Sequence, residues 1–243
     1  MTRAGERFLA TKLMSVLFSA RVGAALALTV PPFWVLVAIV PAQWTHRLTQ
    51  HWARVIVTLC GCRPIVTGLR SFPSGTGIVM VANHSSFIDS VVLLAAIPGD
   101  YRFVANHMAA RRPLLGTIIR KSGHLVVERG SVRSRAACAR AMVKTLQSGT
   151  SLLLFPEGTR GRRGLLPFHL GAFRTAAKTS CPVVPVAIDG TRRMLPRDRR
   201  LLEPAPLAIH VLGTITADTS AVRRAAALRD HARAAIVTAL PES

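Results

Sequence analysis

His84 and Asp89 stand five positions apart in the segment Asn83-His84-Ser85-Ser86-Phe87-Ile88-Asp89. Together they have the makings of a general base and its orienting carboxylate. A carboxylate that accepts from one imidazole nitrogen fixes the tautomer and leaves the other nitrogen to take a proton from a substrate hydroxyl. In a regular helix, residues five apart point about 140° away from each other. The two side chains therefore meet only if His84 lies in a turn and Asp89 in the first turn of the following helix. Ser85 and Ser86 are good N-caps for a helix that begins near Phe87. A structural reading competes on equal terms: Ser86-x-x-Asp89 has capping-box spacing, and His84 could be an ordinary satisfied residue at a strand end.

A second candidate, Phe155-Pro156-Glu157-Gly158-Thr159-Arg160, follows the apolar run SLLLF. Parallel strands deliver ligand-binding loops at their carboxyl ends, and a glycine allows close backbone approach. Arg160 offers a bidentate fork for phosphate, while Glu157 could accept from a hydroxyl or hold that arginine. Alone, a turn with a surface Glu–Arg pair accounts for the segment better. Competing signatures are missing: there is no Gly-x-Ser-x-Gly elbow and no Walker-type loop, and Gly75-Thr76-Gly77 precedes its strand. His84, His107 and His124 are too far apart for a local metal motif, and Cys60-x-Cys62 is too tight for a usual zinc knuckle. Ser85 and Ser86, adjacent to His84, are poorly placed as covalent nucleophiles.

Both segments need strands to position them. Apolar runs at Gly77–Ala82, Arg102–Ala105, His124–Val127, Ser151–Phe155, Val183–Ile188 and Leu207–Leu212 read as buried strands. Helical segments around Ile88–Ala96, Leu114–Lys121, Val132–Gln147 and Leu170–Thr179 alternate with them, and an Ala- and Arg-rich helix from Asp218 to Leu240 closes the chain. Such alternation predicts an α/β domain, a mostly parallel or mixed central sheet flanked by helices. The 243 residues fit one such domain, residues 68–243, preceded by an N-terminal membrane-associated helical segment, residues 1–67.

That N-terminal segment carries no charge from Gly23 to Thr45, long enough for one membrane span. Pro31 and Pro32 in its middle predict a kinked span or two short helices dipping into one leaflet. Leu9, Leu13, Val16 and Leu17 recur at helical spacing near Arg7 and Lys12, as in an interfacial helix. Arg21 and His46–Arg47 bracket the run, with Trp34 and Trp44 as interface anchors. A signal peptide and a buried core hairpin are the alternatives.

Charge is the unusual bulk property: 32 Lys and Arg against 11 Asp and Glu give a formal +21. Such a field attracts nucleic acid, an anionic membrane or an acidic protein, and does not choose among them. Aromatic residues make up only 5% of the chain, which disfavours stacking platforms for single-stranded nucleic acid. Basic clusters at Arg111–Arg112, Arg160–Arg163 and Arg192–Arg200 favour a functional basic face over an evenly decorated surface. The four cysteines, Cys60, Cys62, Cys138 and Cys181, are simplest as reduced thiols of a cytosolic chain.

Taken together, NHSSFID and FPEGTR resemble the glycerolipid acyltransferase family, which includes the 1-acylglycerol-3-phosphate acyltransferases. Weaker blocks agree in order: His124-Leu-Val-Val-Glu128-Arg129, Leu165–Phe173 and Val184-Pro185-Val186-Ala187-Ile188. The similarity runs from about Met80 to Asp189. It implies His84 as general base, Asp89 as its partner, and Arg129, Glu157, Gly158, Thr159 and Arg160 as the acceptor-binding set. It also implies an acyl thioester donor, acyl-CoA or acyl carrier protein, with no metal and no further cofactor. The acceptor it implies is a lyso-phospholipid, foremost 1-acyl-glycerol-3-phosphate giving phosphatidate. The expected place is an anionic membrane surface, with the catalytic domain on the cytoplasmic side and no specific nucleic acid as partner. Two positions depart from many lysophosphatidate-specific members, where Lys stands at Asn106 and at His169. Another lyso-lipid acceptor (amino-acid-based or glycolipid) and a non-enzymatic basic lipid-binding protein therefore remain alternatives.

Overall fold

The computed structural model describes residues 3–72, 77–161, 164–196, 201–216 and 221–241, apart from the side chains of 3–8, 71 and 221–223. Arg7's side chain, Gly75, Thr76, Arg162, Arg163, Arg197, Arg199, Arg200 and the predicted helix start at Asp218 lie outside the described residues.

Strands β1 (Ile65–Thr67), β2 (Val79–Ala82), β3 (Tyr101–Asn106), β4 (Leu125–Val127), β5 (Ser151–Leu154), β6 (Val183–Asp189) and β7 (Ala208–Val211) form one sheet in the order β1-β7-β6-β2-β5-β3-β4. Every neighbouring pair is parallel except β6 with β7. Five strands therefore end on the same edge. The chain runs outward from β2 to β3 and β4, returns to β5, and then passes β2 to form β6. The ends of β2 and β5 lie side by side where the strand order reverses, the place where open α/β sheets leave a crevice.

Alternation along the central strands builds two cores. Met80, Ala82, Leu153, Val184 and Val186 face one side, packed with Leu93 and Tyr101. Val79, Val81, Leu152, Leu154 and Ala187 face the other, packed with Met142, Phe173, Leu228 and Ile236. Helices α2 (Ala42–Leu59) and α3 (Asp89–Ala96) cover the first side, with α5 (Pro113–Lys121) packed on α2; α6 (Val132–Gln147), α7 (Gly171–Thr179) and α9 (Ala221–Ala239) cover the second. Short helices α4 (His107–Ala110) and α8 (Thr191–Met194) follow β3 and β6. The predicted α/β class holds, with β1 joining the sheet at Ile65, just before the boundary expected at residue 67.

The N-terminal expectation needs one correction. Helix α1 (Arg3–Ile39) continues through Pro31 and Pro32, and the chain turns instead at Val40 and Pro41. An interior proline costs about 3 kcal/mol where nothing opposes it. Here tertiary contacts hold the far turn in place. Phe33 and Val37 are buried against Ile118, and Phe33 stacks on Trp52 with centroids 4.6 Å apart. Lys121 Nζ donates to the carbonyls of Val37, Ala38 and Val40, capping the orphan end of α1 with a cation. Leu9–Ile39 is long and apolar enough to cross a membrane, and only 17% of its most apolar window is buried. Trp34 and Trp44 are both about half exposed, and Arg47 lies over the Trp44 ring.

Beneath the sheet edge, His46 and His124 meet edge to face beside Tyr101 and Phe103. Burial, with help from His46 and Arg102, pushes the His124 pKa down to about 3. His124 Nδ1 accepts from the Phe103 N–H, so a proton placed there breaks that bond. The folded state thus binds this proton less readily than the unfolded chain, and stability is lost as pH falls below the ordinary histidine value near 6.5. His46 is lowered by burial in the same direction. We expect His124 alone to cost about 2 kcal/mol between pH 7 and pH 5. Urea midpoints across that range should fall for the wild type and much less for His124→Asn; equal slopes would refute the linkage.

Candidate active site

Strand β2 ends in a polar clamp. The buried Asn83 side chain donates to the Ile188 carbonyl at 2.9 Å and accepts from its N–H at 2.7 Å, fixing β2 against β6. His84 follows in the turn, and α3 begins at Asp89. This is the turn-to-helix placement that the spacing requires. His84 Nδ1 lies 2.9 Å from Asp89 Oδ2. An ionised carboxylate can only accept, so Nδ1 carries the proton and Nε2 is the ring nitrogen left for a substrate.

Asp89 is fully buried, and the same Oδ2 also accepts from the N–H groups of Ser85 at 2.8 Å and Ser86 at 2.9 Å. The capping and orienting roles are therefore held by one oxygen at once. Ser85 and Ser86 do not cap the helix with their hydroxyls. Ser85 Oγ pairs with Thr191 Oγ1 and Ser86 Oγ donates to the Leu195 carbonyl, while Ile88 occupies the N-cap.

The FPEGTR segment leaves β5 and folds back onto the His84 turn. Glu157 is buried, and its two oxygens accept from the His84 N–H at 2.6 Å and the Leu166 N–H at 2.9 Å. Burial raises its pKa, and those two hydrogen bonds and His84 oppose the rise. Oε1 thus ties this segment to the His84 turn and Oε2 holds the backbone at Leu166, so its geometry is that of a brace. Gly161 N–H donates to the His84 carbonyl, a second tie. The His84 ring stacks on Phe155, and the Arg160 guanidinium lies over the Phe87 ring.

Gly158 adopts φ +70, a left-handed turn that suits glycine, and a Cβ there would stand 3.0 Å from the His169 ring and 3.7 Å from Arg129 Nε. Arg129, after β4, and His169, before α7, thus converge on the Gly158 loop. Thr159 is exposed beside them. Arg129 is partly desolvated, which lowers its pKa from the ordinary arginine value. Asn106 has a local role: its side chain accepts from the Met108 N–H and caps α4. Gly190, at φ +88, brings Thr191 up to Ser85; a Cβ there would collide with the Pro206 carbonyl.

Sequence reasoning missed Asn83, Thr191 and Phe155 as supports. Only Asn83 carried a readable signal, its place directly before His84. Among the described residues no group of three or more His, Cys, Asp or Glu side chains is placed to hold a metal ion.

Comparison with known proteins sets this geometry in context. A family model described as Acyltransferase matches residues 63–189, a little over half the chain. A chloroplastic 1-acyl-sn-glycerol-3-phosphate acyltransferase of Brassica napus is 33% identical over 73% of this chain and 52% of its own length. A 1-acyl-sn-glycerol-3-phosphate acyltransferase of Borreliella burgdorferi is 28% identical over 65% of this chain and 64% of its own. The chain spans about half the length of the two chloroplastic relatives it matches, those of Brassica napus and Arabidopsis thaliana. The crystal structure of the 1-acyl-sn-glycerophosphate acyltransferase of Thermotoga maritima shares the fold, with a TM-score of 0.71 at 19% identity, covering 98% of this chain and all of that one.

Proposed function

Because this chain belongs to the acyltransferase family, we propose that it moves a fatty acyl group from acyl-CoA or acyl carrier protein onto a lyso-phospholipid hydroxyl, foremost 1-acyl-glycerol-3-phosphate, giving phosphatidate. The observation that carries this reading is the bond between His84 Nδ1 and Asp89 Oδ2, which leaves Nε2 for a substrate on a turn held by buried backbone ties.

His84 Nε2 takes the proton of the acceptor hydroxyl as that oxygen attacks the thioester carbonyl. The bond to sulfur then breaks and the thiolate leaves. Asp89 stabilises the imidazolium that forms. The thiolate is a good leaving group, so no separate acid is needed, and the reaction calls on no metal or further cofactor. Arg160, with Arg129 across the Gly158 loop, holds the acceptor phosphate and turns binding energy into alignment. His169 stands beside the same loop, where a protonated imidazole would add to that charge.

The exposed apolar surface of α1, with Trp34 near its C-terminal end and Trp44 in the first turn of α2, supports attachment to an anionic membrane; in this reading the catalytic domain lies on the cytoplasmic side. Asn106, spent on capping α4, leaves room for a second reading in which the acceptor is an amino-acid-based or glycolipid lyso-lipid.

One experiment addresses both. The full chain is mixed with anionic vesicles, labelled acyl-CoA or acyl carrier protein, and a panel of lyso-lipids, and products are resolved by mass spectrometry. Phosphatidate should dominate, and Arg160→Ala should raise the KM for 1-acyl-glycerol-3-phosphate by about 10- to 100-fold. Acylation of a different acceptor alone would sink the lysophosphatidate assignment. Transfer from no donor, with lipid binding retained, would make this a lipid-binding protein instead. In the same preparation the protein should float with the vesicles, less so at high salt; failure to float would remove it from the membrane.

A further inference from the structure

The two signature segments exchange aromatic rings. Phe155, from FPEGTR, lies under the His84 imidazole with centroids 4.1 Å apart and planes 18° from parallel. Phe87, from NHSSFID, lies under the Arg160 guanidinium, whose carbon is 3.3 Å from the ring centroid. Each segment thus floors the functional side chain of the other. Phe87 is 69% exposed. A phenylalanine held so far out of the core contributes little by burial, and it holds the Arg160 guanidinium against its ring.

We propose that Phe155 and Phe87 are positioning residues, acting through His84 and Arg160; the proposal rests on the acyl-transfer reading of this site. The bond from His84 Nδ1 to Asp89 fixes one edge of the imidazole but leaves its plane some tilt through small coupled changes of the side-chain torsions. A parallel ring beneath it limits that tilt and so sharpens the direction of Nε2. Phe155 is itself backed by Phe103, 6.5 Å away and 23° from parallel, so the platform is anchored in the sheet.

Arg160 has the complementary problem, because an arginine on a loop loses rotamer freedom when it grips an anion. With one guanidinium face against Phe87, that freedom is already reduced and one face is already dry. The N–H donors lie in the guanidinium plane, so stacking leaves the edges to meet phosphate oxygens. The two segments hold their mutual register through the Glu157 and Gly161 ties to the His84 backbone.

The test uses the full chain in detergent micelles, following thiol release from acyl-CoA with 1-acyl-glycerol-3-phosphate as acceptor. Phe87→Leu should raise the acceptor KM about 3- to 30-fold with kcat within about twofold, and Phe87→Tyr should restore it. Phe155→Leu should lower kcat about tenfold with the acceptor KM little changed, and Phe155→Tyr should recover most of it. Equal losses in both parameters for either leucine variant, or no loss, would overturn the proposal.

A second readout needs no turnover. With 13C-labelled histidine, the ring current of Phe155 should displace the His84 Cε1–H signal in NMR, and Phe155→Leu should abolish that displacement while Phe155→Tyr keeps it. An unchanged signal would refute the stack even if acyl transfer is found. A lost displacement in a protein that transfers no acyl group would keep the stack and reject the reaction.

Discussion

His84→Ala is expected to lower kcat by about 10²- to 10⁴-fold, the range lost with a positioned general base. The fold should survive the change. His84 lies at a strand end rather than in the core, and its ring is 19% exposed. Asp89 loses one donor but keeps the Ser85 and Ser86 N–H groups, so its buried charge is not abandoned. The loops stay registered, because Glu157 and Gly161 bond the His84 backbone, which alanine retains. Acceptor KM should therefore stay near wild type while the chemical step slows. Single-turnover thiol release by the purified variant, alongside its melting temperature, measures both. A wild-type rate from a folded His84→Ala protein would remove the base and with it the central mechanism.

The sheet was legible because buried parallel strands are apolar on both faces and stand out as short runs. All six predicted runs became strands, and Val132–Gln147 was read to its ends. Strand β1 escaped because three residues with a single strand neighbour leave no pattern to count. The continuity of α1 escaped for a different reason. A proline's local cost is visible in the sequence, whereas the support for the turn beyond it comes from Trp52, Ile118 and Lys121, far along the chain.

The site divides in the same way. Turn-to-helix placement of His84 and Asp89 follows from helical geometry, so it could be stated beforehand. What spacing could not supply was the contact between the segments. Glu157, read as a hydroxyl acceptor or an arginine partner, bonds the His84 and Leu166 backbones instead, and only the adjacency of β2 and β5 makes that possible. Asn106 likewise stands out in the sequence only as a departure from the lysine of many lysophosphatidate-specific members, and the structure gives it a cap.

Asp89→Asn separates the two readings that the sequence left standing side by side. Asparagine can place its carbonyl oxygen where Oδ2 stands and still accept from His84 Nδ1, Ser85 and Ser86. The capping geometry therefore persists. Its amide nitrogen then occupies the place of Oδ1, which is buried without a hydrogen-bond partner among the described residues, so two N–H groups go unsatisfied. That defect should cost about 1–3 kcal/mol of stability. The larger consequence is electrostatic: the negative charge that balances the imidazolium in the transition state is gone. A rotation of the amide that satisfies its N–H groups would turn a donor toward His84 and force the wrong tautomer. Either outcome should lower kcat by about 10²- to 10⁴-fold with the acceptor KM little changed. The double variant with His84→Ala should be no slower than His84→Ala alone, since Asp89 acts through the imidazole. If Asp89→Asn loses stability but keeps its rate, the carboxylate is a cap and no more.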